Sequence, residues 1–278
     1  MTAQLLIIGG MPLCAMLAGV VLWMVHRDES LEDTELVRNF LIVFAICFGL
    51  GWAVLRTDSV RMRWDTAFRI KTEIEGNALW KTINGIDESG TGKALRESLE
   101  QQMIAGASLP EALARSRPIL SEAAQYRLGF ADQQTKILWA NYTTDTLKEL
   151  QQQDPESCYL MVSSPLEAPG DTLSAENTAA FHAALIRLFE SSDKTMRREH
   201  SPTDVPSNLD AGRREFAAIK QELTERYGSE VAETLASRTF DNPPGSEATM
   251  CKARIFQLEA ILRRPQAVAA MLVDNALR

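Results

Sequence analysis

Cys158 and Cys251 carry the most specific chemistry in this sequence. Cys158 shares a helical face with Met161 and Val162, and Cys251 shares one with Ile255 and Leu258, so both point toward packed surface, where they can meet. In an oxidising compartment a bridge between them would close a loop spanning 93 positions and stabilise the fold by about 2–5 kcal/mol through restriction of the unfolded chain. In a reducing compartment the same two residues are small buried hydrophobes.

The other constellations fail on spacing. Gly85-Ile86-Asp87-Glu88-Ser89-Gly90-Thr91-Gly92-Lys93 has the look of a phosphate loop. However, Asp87 stands where the first glycine is needed, Ala94 replaces the Mg²⁺-binding Ser/Thr, and no strand precedes it. A glycine-rich turn ahead of a helix accounts for it. His182 lies beside an apolar stripe, while His200 lies in a polar stretch next to Arg197, Arg198 and Glu199. No serine elbow, Cys/His signature or HExxH accompanies them, and the absence of a Cys-x-x-Cys pair argues against zinc. No catalytic, cofactor or metal residues are assigned; the enzyme alternative is a membrane-tethered hydrolase with carboxylates gathered near His182.

Those residues depend on elements whose setting is read from charge. The chain has 278 residues and a formal charge of −8, with no basic excess to displace counterions from nucleic acid. Its apolar residues are unevenly placed: residues 5–25 contain 21 positions without a charge, and 40–55 contain 16. The first run is long enough for a hydrocarbon core and the second is near the short limit. Met1-Thr2-Ala3-Gln4 lacks the positive segment of a cleaved signal peptide. Residues 1–55 are therefore expected to form a transmembrane hairpin.

The loop at 26–39 carries Arg27 and Arg38 against five carboxylates, whereas Arg56, Arg61, Arg63, Arg69 and Lys71 follow the second run. The positive-inside rule then places the large C-terminal region in the cytoplasm. Ala15 and Gly19 in the first run, and Ala45, Gly49 and Ala53 in the second, would allow close helix approach. Residues 56–84 read as a juxtamembrane amphipathic helix in which Arg61, Arg63, Trp64, Phe68, Arg69 and Lys71 suit a headgroup surface.

Residues 56–278 carry 27 basic against 32 acidic side chains and almost no period-two alternation. An all-α fold is expected: two transmembrane helices, then a multi-helix soluble domain. The organisation is a helical subdomain at 85–192, a linker at 193–210 containing Pro202 and Pro206, and a C-terminal subdomain at 211–278 packing on the first. Ser108-Leu109-Pro110-Glu111 is a capping box opening a helix through Arg115; Pro118 starts a single long pattern to about Gln153; Asp154-Pro155 opens the helix carrying Cys158.

The Asp154-Pro155 turn before Cys158, then Cys251, the apolar helix through Leu262, Pro265 and Ala269-Ala270-Met271-Leu272 resemble a loosely defined set of membrane-anchored bacterial proteins over roughly the C-terminal half. The resemblance implies a paired-cysteine helical domain and no activity. Gly106-Ala107-Ser108-Leu109-Pro110-Glu111-Ala112-Leu113 is similar to a stretch in type II secretion platform proteins, which would imply an accessory secretion component. Gly129-Phe130-Ala131-Asp132 departs from the Gly-Glu expected downstream, and the second domain copy is missing, so the stretch is read as a capping box. The functional expectation is an inner-membrane, two-pass scaffold or interaction protein of the bacterial envelope. Its partners are the lipid bilayer and a second protein or another copy of itself. The soluble domain is cytoplasmic by charge, periplasmic if Cys158 and Cys251 are bridged.

Overall fold

Side-chain caps and prolines set most of the helix boundaries in this chain. In a computed structural model, the residues described are 19, 38, 41–42, 44–46, 48–49, 52–53, 57–58, 61–62, 65–164, 173–197, 209–238, 240 and 245–277. These are helical with no strand, in two units, Met1–Glu73 and Ile74–Arg278.

Within the first unit, Phe44, Phe48 and Trp52 follow one another at helical spacing, with ring centroids 6.1 and 6.5 Å apart. Leu41, Ile42, Ile46 and Trp52 are exposed. Asp65 accepts the Phe68 N–H at 3.0 Å and opens helix α1, Thr66–Gly76. Most of the expected spans at 5–25 and 40–55 lies outside the described residues. Among the described residues, no helix is long and apolar enough to cross a membrane.

The second unit begins its regular packing with α2, Ala78–Ile86, whose first turn is capped by Asn77 accepting the Trp80 N–H. Helix α3, Thr91–Ile104, leads to α4, Leu109–Arg115, which opens on the Ser108/Glu111 capping box read in the sequence. The long pattern expected from Pro118 to Gln153 is instead two helices, α5 (Arg117–Leu128) and α6 (Gln133–Gln153). Asp132 makes the break: it caps α6 by accepting the Thr135 N–H at 2.7 Å and also accepts the Ser191 hydroxyl at 2.8 Å. Asp154 then caps α7, Pro155–Ser163, through the N–H groups of Glu156 and Ser157. Helix α8, Ala175–Arg197, runs through positions 193–197. Helix α9, Leu209–Tyr227, ends at Gly228, whose φ of 93° suits a residue without Cβ. Short α10, Ser229–Ser237, is followed by α11, Glu247–Leu262, capped by Ser246, and α12, Gln266–Leu277.

Helix α6 is shared by two packing systems. On one side it meets α8, which also packs on α2 and α5, with α3 and α4 completing that group. On the other side α6 meets α7, α11 and α12, and α9 with α10 covers α11 and α12. Leu147 and Leu150 of α6 join Ile219, Leu223, Leu235, Leu258, Leu272 and Val273 in one buried cluster. Helix α11 is buried on nearly every face, which takes Arg254 and Gln257 inside with its apolar residues.

The glycine-rich stretch that mimics a phosphate loop is a carboxylate-capped turn. Asp87 Oδ2 accepts the Thr91 N–H at 3.0 Å, and the Gly92 N–H donates to the Asp87 carbonyl at 2.8 Å. A Cβ on Gly92 would lie 2.7 Å from that carbonyl oxygen and 2.9 Å from Asn84 Cα. Gly92→Ala is therefore expected to cost about 1–3 kcal/mol by backbone overpacking. Gly90→Ala, which meets the movable Asp87 carboxylate, should cost less. Urea unfolding of the two variants checks the order.

Candidate functional site

Cys158 sits one turn inside α7, after the Asp154 cap, and Cys251 sits one turn inside α11, after the Ser246 cap. Both caps lock their helices where the chain enters the core, and the two cysteines form a disulfide with a Cα–Cα separation of 5.8 Å, within the ordinary range. Both residues are 0% exposed. The bond links α7 to α11 inside the cluster built on α6.

One turn beyond Cys251, Arg254 is buried with 6% of its surface exposed. It donates to the Gln257 amide oxygen at 2.6 Å and to the Ala276 carbonyl at 2.5 Å, both neutral acceptors. Burial, and then the charge of Arg238, push its guanidinium pKa down to about 10. Arg117 on α5 is equally buried at 6%. It donates to the Tyr142 hydroxyl at 2.6 Å, and its guanidinium lies 4.4 Å from the Phe181 ring centroid. Among the described residues, neither arginine forms a salt bridge with a carboxylate. Both line one cavity of about 70 Å³, together with apolar side chains that include Trp139, Phe181, Val162 and Leu277. Arginine cannot release its proton near neutral pH, so this arrangement binds charge without moving protons.

His182 of α8 is half-buried beside Phe181, with ring centroids 6.0 Å apart. Burial, reinforced by the Arg117 charge, lowers its pKa. The ionisable group that acts on His182 is thus an arginine, and that surrounding favours the neutral imidazole. Among the described residues no three His, Cys, Asp or Glu side chains converge as metal ligands would. His200 lies outside the described residues.

Ala15 also lies outside them, and a Cβ on Gly19 or Gly49 would meet nothing within 4 Å. Ala45 and Ala53 are exposed. Arg63 and Trp64 are outside the described residues, whereas Arg61 pairs with Asp65 at 3.1 Å and lies 4.0 Å from the Phe68 ring centroid. Arg69 approaches Glu73 at 3.9 Å; Phe68 is half-buried and Lys71 exposed.

Sequence reasoning passed over Arg117 and Arg254. The available signal for Arg254 was its position three residues after Cys251 and four before Leu258, on the face read as apolar. Arg117 opens α5 immediately before Pro118, and no local pattern turns it inward. No protein-family model, curated protein or solved structure matches the chain.

Proposed function

We propose that the chain is a two-pass membrane protein whose helical domain stands in an oxidising compartment of the bacterial envelope and binds another envelope component. The observation that carries this reading is the Cys158–Cys251 disulfide joining α7 to α11 in the core, because such bonds form and persist where thiols are not kept reduced. The anchor rests on the charge-free runs at 5–25 and 40–55, and on the exposed Leu41, Ile42, Ile46 and Trp52. Exposed large apolar side chains suit a lipid setting. The cation bias toward the C-terminal side favours the cytoplasm, and the pairing of Cys158 with Cys251 in the core supports the opposite placement. The two arginines of the internal cavity suit binding rather than proton transfer.

Reporter fusions at the C-terminus test the placement. A fusion active only outside the cytoplasm is expected to work, and the purified chain should yield neither Cys158 nor Cys251 to a thiol reagent after denaturation without reductant. A cytoplasm-active fusion with both thiols free would return the domain to the cytoplasm.

A further inference from the structure

We infer that the cavity between α5, α6, α7, α8, α11 and α12 is a binding site for a small aliphatic carboxylate carrying a methyl or ethyl group, with Arg117 and Arg254 as its cationic contacts.

Two observations carry this independently. The first is the charge balance of the interior. A buried cation without a counter-charge is expensive, and proteins ordinarily pair it. Arg117 and Arg254 are both more than nine-tenths buried, and among the described residues their hydrogen bonds go to neutral acceptors. Each guanidinium has five N–H donors in a fixed fork. The contacts above use one from Arg117 and two from Arg254. By contrast, the buried Arg127 has Asp87 at 3.8 Å, so this interior does supply carboxylates where a cation is structural.

The second observation is the cavity itself. Both arginines line it, and its volume of about 70 Å³ exceeds the roughly 30 Å³ that one liquid water occupies. Trp139, Phe181, Val162 and Leu277 supply an apolar wall. A charged head with a short apolar body fits that combination: the carboxylate supplies the missing counter-charge and the body displaces water from the apolar wall. A bare inorganic oxyanion leaves that wall wet. An aromatic ring or a long acyl chain exceeds the space.

The proposal concerns the domain's interior and stands apart from the placement of the chain in a membrane. Its test uses the full chain in a non-ionic detergent, with thermal unfolding followed in the presence of propionate, its neutral isostere propionamide, and inorganic phosphate. Propionate is expected to raise the midpoint by about 5–10 °C at ~100 times its Kd, and the other two probes to leave it unchanged. Equal response to propionamide overturns the role of charge, equal response to phosphate overturns the apolar half of the site, and no response to propionate overturns the site.

Arg254→Met should abolish the propionate response whatever its unliganded midpoint, which the removed charge raises and the lost bonds to Gln257 and Ala276 lower. A lower midpoint with an undiminished response assigns Arg254 to structure alone and overturns its role. Should that variant not fold, Ser121→Leu decides. Ser121 is a half-buried residue of the cavity wall, so leucine narrows the space without touching either arginine, and a full response in that variant overturns the site. Binding should also raise the His182 pKa, because an anion at Arg117 offsets the charge that lowers it; an unmoved NMR titration of His182 despite a thermal response overturns the assignment of Arg117.

Discussion

Cys251→Ser is expected to lower the stability of the helical domain by about 2–5 kcal/mol, one of the two largest single effects predicted for this chain. The bridge closes a loop spanning 93 positions, and losing it restores conformational freedom to the unfolded chain. For a domain of this size the midpoint should fall by about 5–15 °C. Cys158→Ser and the double variant should match Cys251→Ser, because each breaks the same bond and the effects are not additive. Both cysteines are fully buried, so dithiothreitol should reduce them only when denaturant is present. A Cys251→Ser midpoint equal to that of the wild type under non-reducing conditions would sink the prediction.

Arg127→Ala should cost about 2–4 kcal/mol, the size expected for a buried charged residue that loses both packing and partners. Arg127 donates to the Ser192 hydroxyl at 3.2 Å, lies 3.8 Å from Asp87, and its guanidinium is 4.3 Å from the Phe189 ring centroid. It therefore joins the turn before α3 to α8. Arg127→Met should cost less, because a methionine stem still covers Phe189. The ion pair itself is the smaller part: at 3.8 Å, with the Asp87 side chain 29% exposed, its coupling in a double-mutant cycle with Asp87→Asn should be about 1 kcal/mol or below. Urea unfolding supplies all four values, and a coupling that equals the whole Arg127→Ala loss would contradict this division.

Acid adds a further check on Asp87. Burial raises its carboxyl, but the Thr91 backbone N–H and hydroxyl and the Arg127 charge outweigh that and hold it below the usual value. The contribution of Asp87 is thus present above an unfolded value of about 3.9 and is lost as pH falls from there through the folded value.

Much of the local structure was legible because its signals act within one turn. Ser108 with Glu111, and Asp154 before Pro155, each satisfy backbone hydrogen bonds of their own helix through their side chains. The break at Gly129–Asp132 was missed because apolar spacing continues across it. Asp132 secures it partly through Ser191, 59 positions away and on another helix. The phosphate-loop likeness was dismissed from spacing, but the reason for its glycines, close approach of Asp87 and Asn84 to Gly92, is visible only in three dimensions.

The sequence by itself determined the helical class, the Ser108 and Asp154 caps, the two charge-free apolar runs and the two cysteines able to pair, since composition and short-range spacing encode these directly. Tertiary structure alone decided that α7 and α11 meet across α6 and that Arg117 and Arg254 share a cavity. An arginine ordinarily reads as surface; Arg254 is carried inside because α11 is covered on nearly every side, and Arg117 because its face of α5 meets Tyr142 and Phe181 on two other helices.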